Sequence, residues 1–96
     1  MSLELPKSVL YVCNMNQVRS PMAEYLTRHL FGKTINSQSA GIFQGQEDGF
    51  MFAVMNERGI DVSKHVPETL DDLEDHFVDL VITLSKSAHE PTVDFF

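Results

Sequence analysis

Two continuous apolar runs along the chain predict buried β-strands. The first extends from Ser8 to Cys13 and the second from Asp79 to Leu84, and both are rich in β-branched residues. Uninterrupted runs of this kind are typical of strands buried on both faces of a parallel sheet. A weaker strand is predicted over residues 35–40, which end in the small residues Ser39-Ala40-Gly41.

Helical spacing of apolar residues separates these strands. The pair Ser20-Pro21 predicts a helix start, because serine is a preferred N-cap and proline is tolerated at the first helical position. On that helix Ala23, Leu26 and Leu30 fall on one face, which we expect to point inward.

Two further helices are predicted downstream. Residues 48–58 form the first, with an inward face of Met51, Val54 and Met55. The second is short and acidic, spans residues 70–76, and follows a predicted capping box of Thr69 and Asp72. We expect its inward residues to be Leu73 and Phe77.

The alternation of strands and helices predicts an α/β fold. Right-handed crossovers then give a three-layer αβα arrangement around a parallel sheet, in a single domain over residues 1–96. Ligands of such sheets bind beyond the carboxyl ends of the strands. The loop from Cys13 to Arg19 occupies this position, since it joins the first strand to the first helix.

Composition narrows the class of protein. The 96 residues carry 7 Lys+Arg against 14 Asp+Glu, a net charge of -7, which argues against nucleic acid as a partner. With one cysteine the chain has no internal disulfide, and four scattered histidines (His29, His65, His76 and His89) lack metal-ligand spacing, so no metal site is expected. Neither a signal peptide nor a membrane-spanning stretch is evident, which favours a cytoplasmic protein without a membrane partner.

The charge is uneven along the chain. Residues 1–35 hold four basic and two acidic side chains, whereas residues 36–96 hold three basic and twelve acidic ones. An anion site is therefore expected in the first third. Of the two acids after the second predicted strand, Glu47 and Asp48, either could line the rim of that site, but an N-cap role for Asp48 is preferred.

The predicted loop has the composition of a phosphate-binding nucleophile site. It reads Cys13-Asn14-Met15-Asn16-Gln17-Val18-Arg19-Ser20, a Cys-x5-Arg-Ser motif. A cysteine at a helix N-terminus is favoured as thiolate, and a tight loop can direct its N–H groups at an anion. The Arg19 guanidinium offers a planar fork for two phosphoryl oxygens, and Ser20 is placed to hydrogen bond to Cys13. An inert buried thiol at Cys13 is the structural alternative.

The loop and its surroundings resemble the low-molecular-weight protein-tyrosine phosphatase family. That family's motif reads Cys-x-x-Asn-x-x-Arg-Ser-Pro-x-Ala-Glu, and this chain matches it from Cys13 through Asn16, Arg19, Ser20 and Pro21 to Glu24. Later matches are Ser39-Ala40-Gly41, Arg58 to Ser63 and Asp79 to Ile82, so the resemblance covers nearly the whole chain.

The resemblance implies a function and roles for the loop residues. It implies a flavodoxin-like, phosphotyrosine-phosphatase-I-like topology, here cut short after the third strand, and hydrolysis of aryl phosphates or phosphotyrosine through a phosphocysteine. Cys13 would be the nucleophile, Arg19 the transition-state clamp, Asn16 the residue that holds the loop, and Ser20 the activator of the thiolate. The loop positions 14–19 would bind the phosphate. No metal or organic cofactor is implied.

Three departures from the family pattern bear on activity. Met15 stands where the family commonly has glycine, and Val18 stands where it often has a second cysteine. The family's general acid lies in an Asp-Pro segment, which these residues lack, and Asp94 is the only late aspartate. The apolar ending from Val93 to Phe96 suggests a shortened family member that self-associates through an uncovered sheet edge.

Two alternatives remain open at this point. With an intact loop and no general acid, the chain could be a phosphate- or phosphoprotein-binding module with little turnover. The same scaffold also supports arsenate reduction, for which a chain with a single cysteine would need an external thiol.

Overall fold

A computed structural model describes residues 5–73 and 77–96, and it contains three parallel strands. The strands are β1 (Ser8–Cys13), β2 (Asn36–Gly41) and β3 (Leu80–Thr83), in the spatial order β2-β1-β3. The α-helices are α1 (Arg19–Phe31), α2 (Gly49–Glu57) and α3 (Lys86–Phe95), and a single 3-10 turn covers Leu70–Asp72. The predicted α/β class with a parallel sheet is confirmed.

The central strand β1 separates two apolar clusters. Leu10 and Val12 are fully buried in a cluster with Leu70, Leu73 and Ala88, which places the 3-10 turn and α3 on one face of the sheet. On the opposite face the Tyr11 hydroxyl reaches Thr27 of α1 at 2.7 Å. A second cluster of Met51, Met55, Ile60 and Val62 joins α2 to α1. Helices therefore cover both faces of the sheet.

The inward face predicted for α1 is wrong. The residues that the helix buries are Ser20, Pro21 and Glu24, whereas Leu26 and Leu30 are 36% and 67% exposed. The helix also begins two residues early, at Arg19 rather than Pro21, and Ser20 is not its N-cap. Hydrogen bonds hold the polar side chains of Ser20 and Glu24 on the inward face of the helix, and they engage the Ser20 hydroxyl so that it does not act as a cap.

The helix α2 follows its prediction closely. Asp48 is its N-cap and accepts a hydrogen bond from the Met51 amide at 2.8 Å, so the preferred interpretation of Asp48 is confirmed. Met51 and Met55 are buried as expected. The left-handed backbone of Gly59 (φ 73°) follows the helix, a conformation that glycine adopts without steric cost.

The segments on either side of β3 depart from expectation. The predicted capping box of Thr69 and Asp72 is present, but Phe77 is 91% exposed rather than inward. Residues 74–76, which include His76 and the end of the predicted acidic helix, lie outside the described residues. β3 was expected to be buried on both faces, but Leu80 is exposed and the other side chains are only partly buried, because among the described residues β3 pairs only with β1 and is an edge strand.

A helix that the sequence did not predict follows β3. Residues 93–96 were expected to form an apolar tail, but all except Phe96 lie in α3, where Phe95 packs against the cluster around Leu10. Pro91 lies inside this helix, and such a residue ordinarily indicates a helix end. Over the described part of the chain, no helix has the length and apolar character needed to cross a membrane.

Candidate active site

Cys13 lies at the carboxyl end of β1, directly before the loop that leads into α1. The residue is 6% exposed. Its Sγ lies 2.9 Å from the Ser20 Oγ and accepts a hydrogen bond from the Asn16 amide at 3.3 Å. Hydrogen bonds from an amide and a hydroxyl stabilise negative charge on sulfur, so this position suits a thiolate nucleophile better than an inert core thiol.

Asn16 is the structural centre of the loop. It is fully buried and has a positive φ of 55°, a conformation that asparagine tolerates better than most residues. Its Nδ2 donates to the Ser20 Oγ and to the Ser39 Oγ, each at 2.8 Å. Its Oδ1 accepts from the Glu68 amide at 2.9 Å. The side chain thus ties the loop to α1, to β2 and to the segment after Val62.

The two serines next to Asn16 have their hydroxyl protons directed elsewhere. Because Asn16 is the donor to both, each serine must donate its own proton to another acceptor. Ser39 donates to the Glu24 Oε1 at 2.5 Å. Ser20 has the Cys13 sulfur at 2.9 Å and the more distant Ala40 carbonyl at 3.5 Å. The network therefore points the Ser20 proton toward sulfur.

Glu24, a buried carboxyl group on α1, is the last member of this hydrogen-bond network. We call Cys13, Ser20, Asn16, Ser39 and Glu24 together the relay. Burial raises the pKa of Glu24 above its ordinary value of 4.5, while the hydrogen bond from Ser39 and the charge of Arg28 oppose that shift. Arg28 forms an ion pair with Glu24 one turn along the same helix. An acidic side chain on the inward face of α1 is thus explained by the loop that it supports.

His65 supports the loop from outside, a role that the sequence did not indicate. Its Nε2 lies 3.0 Å from the Asn16 carbonyl oxygen. A carbonyl can only accept, so this nitrogen carries the proton. The imidazole also meets the Tyr25 ring edge-on, with 5.9 Å between ring centroids. Spacing gave no signal for this residue because its partner is a backbone atom 49 positions away.

Two glycines allow the backbone after β2 to approach the loop. A Cβ on Gly41 would lie 2.7 Å from the carbonyl carbon of Met15, and one on Gly45 would collide with the Met15 carbonyl oxygen. Met15 itself does not have the left-handed backbone that requires glycine, so the Cβ at this departure from the family pattern introduces no strain there.

The loop encloses a shallow cavity of about 190 Å³ above Cys13. Besides Cys13, its lining residues are Asn14, Met15, Gln17, Val18, Arg19 and Ser85. Six predicted site residues are therefore brought together, while Asn16 and Ser20 lie buried beneath them. Ser85, the N-cap residue of α3, was not predicted. Within the described residues, this lining includes no carboxylic acid and no histidine.

Arg19 and Asp94 occupy positions that the sequence left undetermined. The Arg19 Nη1 donates to the Leu84 carbonyl at 3.2 Å, so its guanidinium lies against the turn after β3. Asp94 lies on α3, nine residues beyond Ser85, which at the helical rise is about 13 Å farther along the axis. This separation does not favour Asp94 as a proton donor in the cavity.

Comparisons with known proteins identify the family of this chain. The model of the family "low molecular weight phosphotyrosine protein phosphatase" matches residues 8–95. Among curated proteins, arsenate reductase 2 of Staphylococcus saprophyticus is 34% identical over 84 residues, which is 88% of this chain and 64% of that protein. This chain therefore spans less than two thirds of that relative's length.

Solved structures of phosphatases and arsenate reductases share the fold of this chain. A low molecular weight protein tyrosine phosphatase from T. tengcongensis has a TM-score of 0.73 and 33% identity, over 91% of this chain and 64% of that one. An arsenate reductase in its phosphate-binding state has a TM-score of 0.76 and 32% identity, over 81% of this chain and 60% of that one. The chain belongs to the low molecular weight phosphotyrosine protein phosphatase family, whose structural relatives include arsenate reductases.

Proposed function

We propose that this domain binds a tetrahedral oxyanion in the loop 13–19 and hydrolyses aryl phosphate monoesters through Cys13. The observation that carries the proposal is the pair of donors at the Cys13 sulfur, Ser20 Oγ at 2.9 Å and the Asn16 amide at 3.3 Å. A cysteine that served only as core packing would not require a relay of buried polar groups behind it. Family membership supports the same assignment.

In the first chemical step the Cys13 thiolate attacks phosphorus. An S–P bond forms while the P–O ester bond breaks, and the leaving oxygen takes a proton from solvent. Arg19 would leave the Leu84 carbonyl and grip two of the phosphoryl oxygens, since a guanidinium binds an anion more strongly than it binds a neutral carbonyl.

In the second step water attacks the phosphocysteine. The S–P bond breaks and inorganic phosphate is released, with Cys13 again the thiolate. The Ser20 hydroxyl, which points toward sulfur, stabilises that departing charge.

The absence of an acidic group from the described cavity lining favours aryl over alkyl esters. A phenolate leaves without much help from a proton donor, whereas an alkoxide needs protonation as the bond breaks. Loss of general acid catalysis typically costs about 10²–10⁴-fold. We therefore expect slow turnover that increases steeply as the leaving phenol becomes more acidic.

The test is hydrolysis of a series of substituted phenyl phosphates by the native protein and by Cys13→Ser. The Ser63→Ala variant is a matched control, since Ser63 is exposed and lies outside the cavity. Activity is expected to disappear in Cys13→Ser and to persist in the control. Full activity of Cys13→Ser would overturn the proposal.

Arsenate reduction is the second candidate, favoured by the curated relatives that are arsenate reductases. Arsenate would condense with the Cys13 thiol and lose water. A second thiolate would then attack the Cys13 sulfur, so that an S–S bond forms and the S–As bond breaks; arsenic takes the electron pair and leaves as arsenite, while the two thiols are oxidised to a disulfide. Cys13 is the only cysteine of the 96 residues, so the second thiol must come from outside them. Arsenite release that requires an added thiol such as glutathione, without aryl phosphate hydrolysis, would favour this activity.

A binding module without turnover is the third candidate. The missing acid in the described cavity supports it. Calorimetric binding of phosphate or vanadate, with neither hydrolysis nor arsenite formation, is the result that distinguishes it from both enzymes.

A further inference from the structure

The Asn14 side chain joins the loop to the turn between β3 and α3. Its Oδ1 accepts hydrogen bonds from the Ser85 Oγ at 2.7 Å and from the Ser87 Oγ at 2.8 Å. A carboxamide oxygen has two lone pairs, and both are used here. We call Asn14, Ser85 and Ser87 together the Asn14 clamp.

In the structure the two hydroxyls hold the Asn14 amide with its oxygen toward the turn. With the oxygen held by the two serines, the Nδ2 lies on the other side of the carboxamide. Over residues 5–73 and 77–96 this nitrogen makes no hydrogen bond, and Asn14 lines the cavity with Cys13 and Arg19.

The Asn14 backbone is fixed independently of its side chain. Its carbonyl oxygen accepts from the amides of Ile42 and Phe43, each at 2.8 Å. Only the side-chain dihedrals are then left for the clamp to determine. Loss of the clamp should therefore free the amide without displacing the loop.

Ser85 hydrogen bonds to Asn14 and does not cap α3. It is the N-cap residue of α3, yet its side chain makes no capping hydrogen bond. Serine at this position normally accepts from an amide of the first turn. The same turn also holds the Arg19 Nη1 at the Leu84 carbonyl, so residues 84–87 contact two polar side chains of the cavity lining, Asn14 and Arg19.

We propose that Ser85 and Ser87 are positioning residues that turn the Asn14 Nδ2 toward a bound oxyanion. The Asn14 amide then donates to an anion oxygen that faces the turn, in addition to the contacts of Arg19. This inference rests on the oxyanion binding in the proposed function, and it assigns anion recognition to a side chain and to a turn outside the Cys-x5-Arg motif.

The test is calorimetric titration of the native protein and its variants with inorganic phosphate. We expect about ten- to hundredfold weaker binding for Asn14→Ala, the range of one hydrogen bond to a charged group, and a similar loss for the double variant Ser85→Ala/Ser87→Ala. The triple variant should lose no more than either, because the substitutions remove the same interaction. Ser85→Thr in the Ser87→Ala background keeps one hydroxyl and should restore most of the affinity.

Two further variants separate positioning from stability. Asn14→Asp can still accept from both hydroxyls but replaces the NH₂ group with a second oxygen, so its melting temperature should stay native while phosphate binding weakens more than in Asn14→Ala. Thr34→Ala is the matched control, because Thr34 donates a local hydrogen bond to the Phe31 carbonyl after α1, away from the cavity. Its phosphate affinity should be native.

The proposal is overturned if the serine double variant binds phosphate as tightly as the native protein, or if its loss and that of Asn14→Ala are additive. Absence of phosphate binding by the native protein would overturn it as well. Failure of the proposed hydrolysis is a separate result, since binding is measured without turnover. A native protein that binds phosphate but leaves aryl phosphates intact contradicts the hydrolysis and not the clamp.

Discussion

Substitution of Asn16 is the perturbation whose size follows most directly from the structure. Its side chain makes three hydrogen bonds, to Ser20, Ser39 and the Glu68 amide, and the residue is fully buried. At about 1 kcal/mol for each hydrogen bond, Asn16→Ala should lower the free energy of unfolding by about 3 kcal/mol. Alanine must also adopt the left-handed backbone, which adds about 1 kcal/mol relative to glycine.

A comparison of two substitutions separates these contributions. Asn16→Gly loses the same hydrogen bonds but adopts a φ of 55° readily, so it should be about 1 kcal/mol more stable than Asn16→Ala. Urea unfolding of the native protein and both variants measures the difference. These contributions are wrong if Asn16→Gly is the less stable variant, or if the urea midpoint of Asn16→Ala equals that of the native protein.

Three other predictions concern the relay, the cavity rim and the sheet edge. Burial raises the pKa of Glu24 above 4.5, so the contribution of this carboxyl group to stability is fully present below pH 4.5 and decreases as the pH rises through the raised pKa. In urea titrations the stability of the native protein relative to Glu24→Gln should therefore fall with increasing pH. A rise would contradict this assignment. Met15 is 43% exposed and lines the cavity, where we expect it to make an apolar contact with the aryl group of the substrate. Met15→Gly should therefore raise the KM for p-nitrophenyl phosphate several-fold with little change in the affinity for inorganic phosphate. Equal changes in both would contradict this contact. We expect the open edge of β3 to pair with a second copy, so sedimentation should give a dimer that Leu80→Lys dissociates, whereas a native monomer would exclude this pairing.

The central strand and the loop were predictable because their signals are local. The run from Ser8 to Cys13 is apolar on both faces, and the structure places it in the middle of the sheet. The Asp48 cap and the methionines of α2 depend on neighbours only three or four residues away, so their pattern was sufficient. The position of the Cys13 loop then followed from the connection between β1 and α1.

The inward face of α1 could not be predicted because two sets of residues have suitable spacing. Leu26 and Leu30 form an apolar pair one turn apart, and Ser20 and Glu24 form a polar pair with the same separation. Apolar burial alone favours the leucines. The hydrogen bonds of Ser20 to Asn16 and of Glu24 to Ser39 select the polar pair, and these partners become neighbours only in the folded chain.

The burial of β3, the helix α3 and the contacts of His65 and Ser85 could not be predicted for other reasons. Burial of β3 depends on how many strands pair with it, which its own composition does not reveal. Pro91 removes the hydrogen bond that would reach the Ser87 carbonyl, so the sequence there indicates a break, but the helix continues to Phe95. The contacts of His65 and Ser85 with the loop span 49 and 71 residues, beyond any local pattern.

Trapping of the reaction intermediate is the decisive experiment for Cys13 as the nucleophile. The native protein is mixed with a nitrophenyl phosphate, quenched in acid within the first turnover, digested, and analysed by mass spectrometry for phosphorus bound to sulfur. We expect a phosphorylated peptide that contains Cys13, and its disappearance in Cys13→Ser. Phosphate carried by another residue, or release of nitrophenol by a protein without its only cysteine, would contradict it.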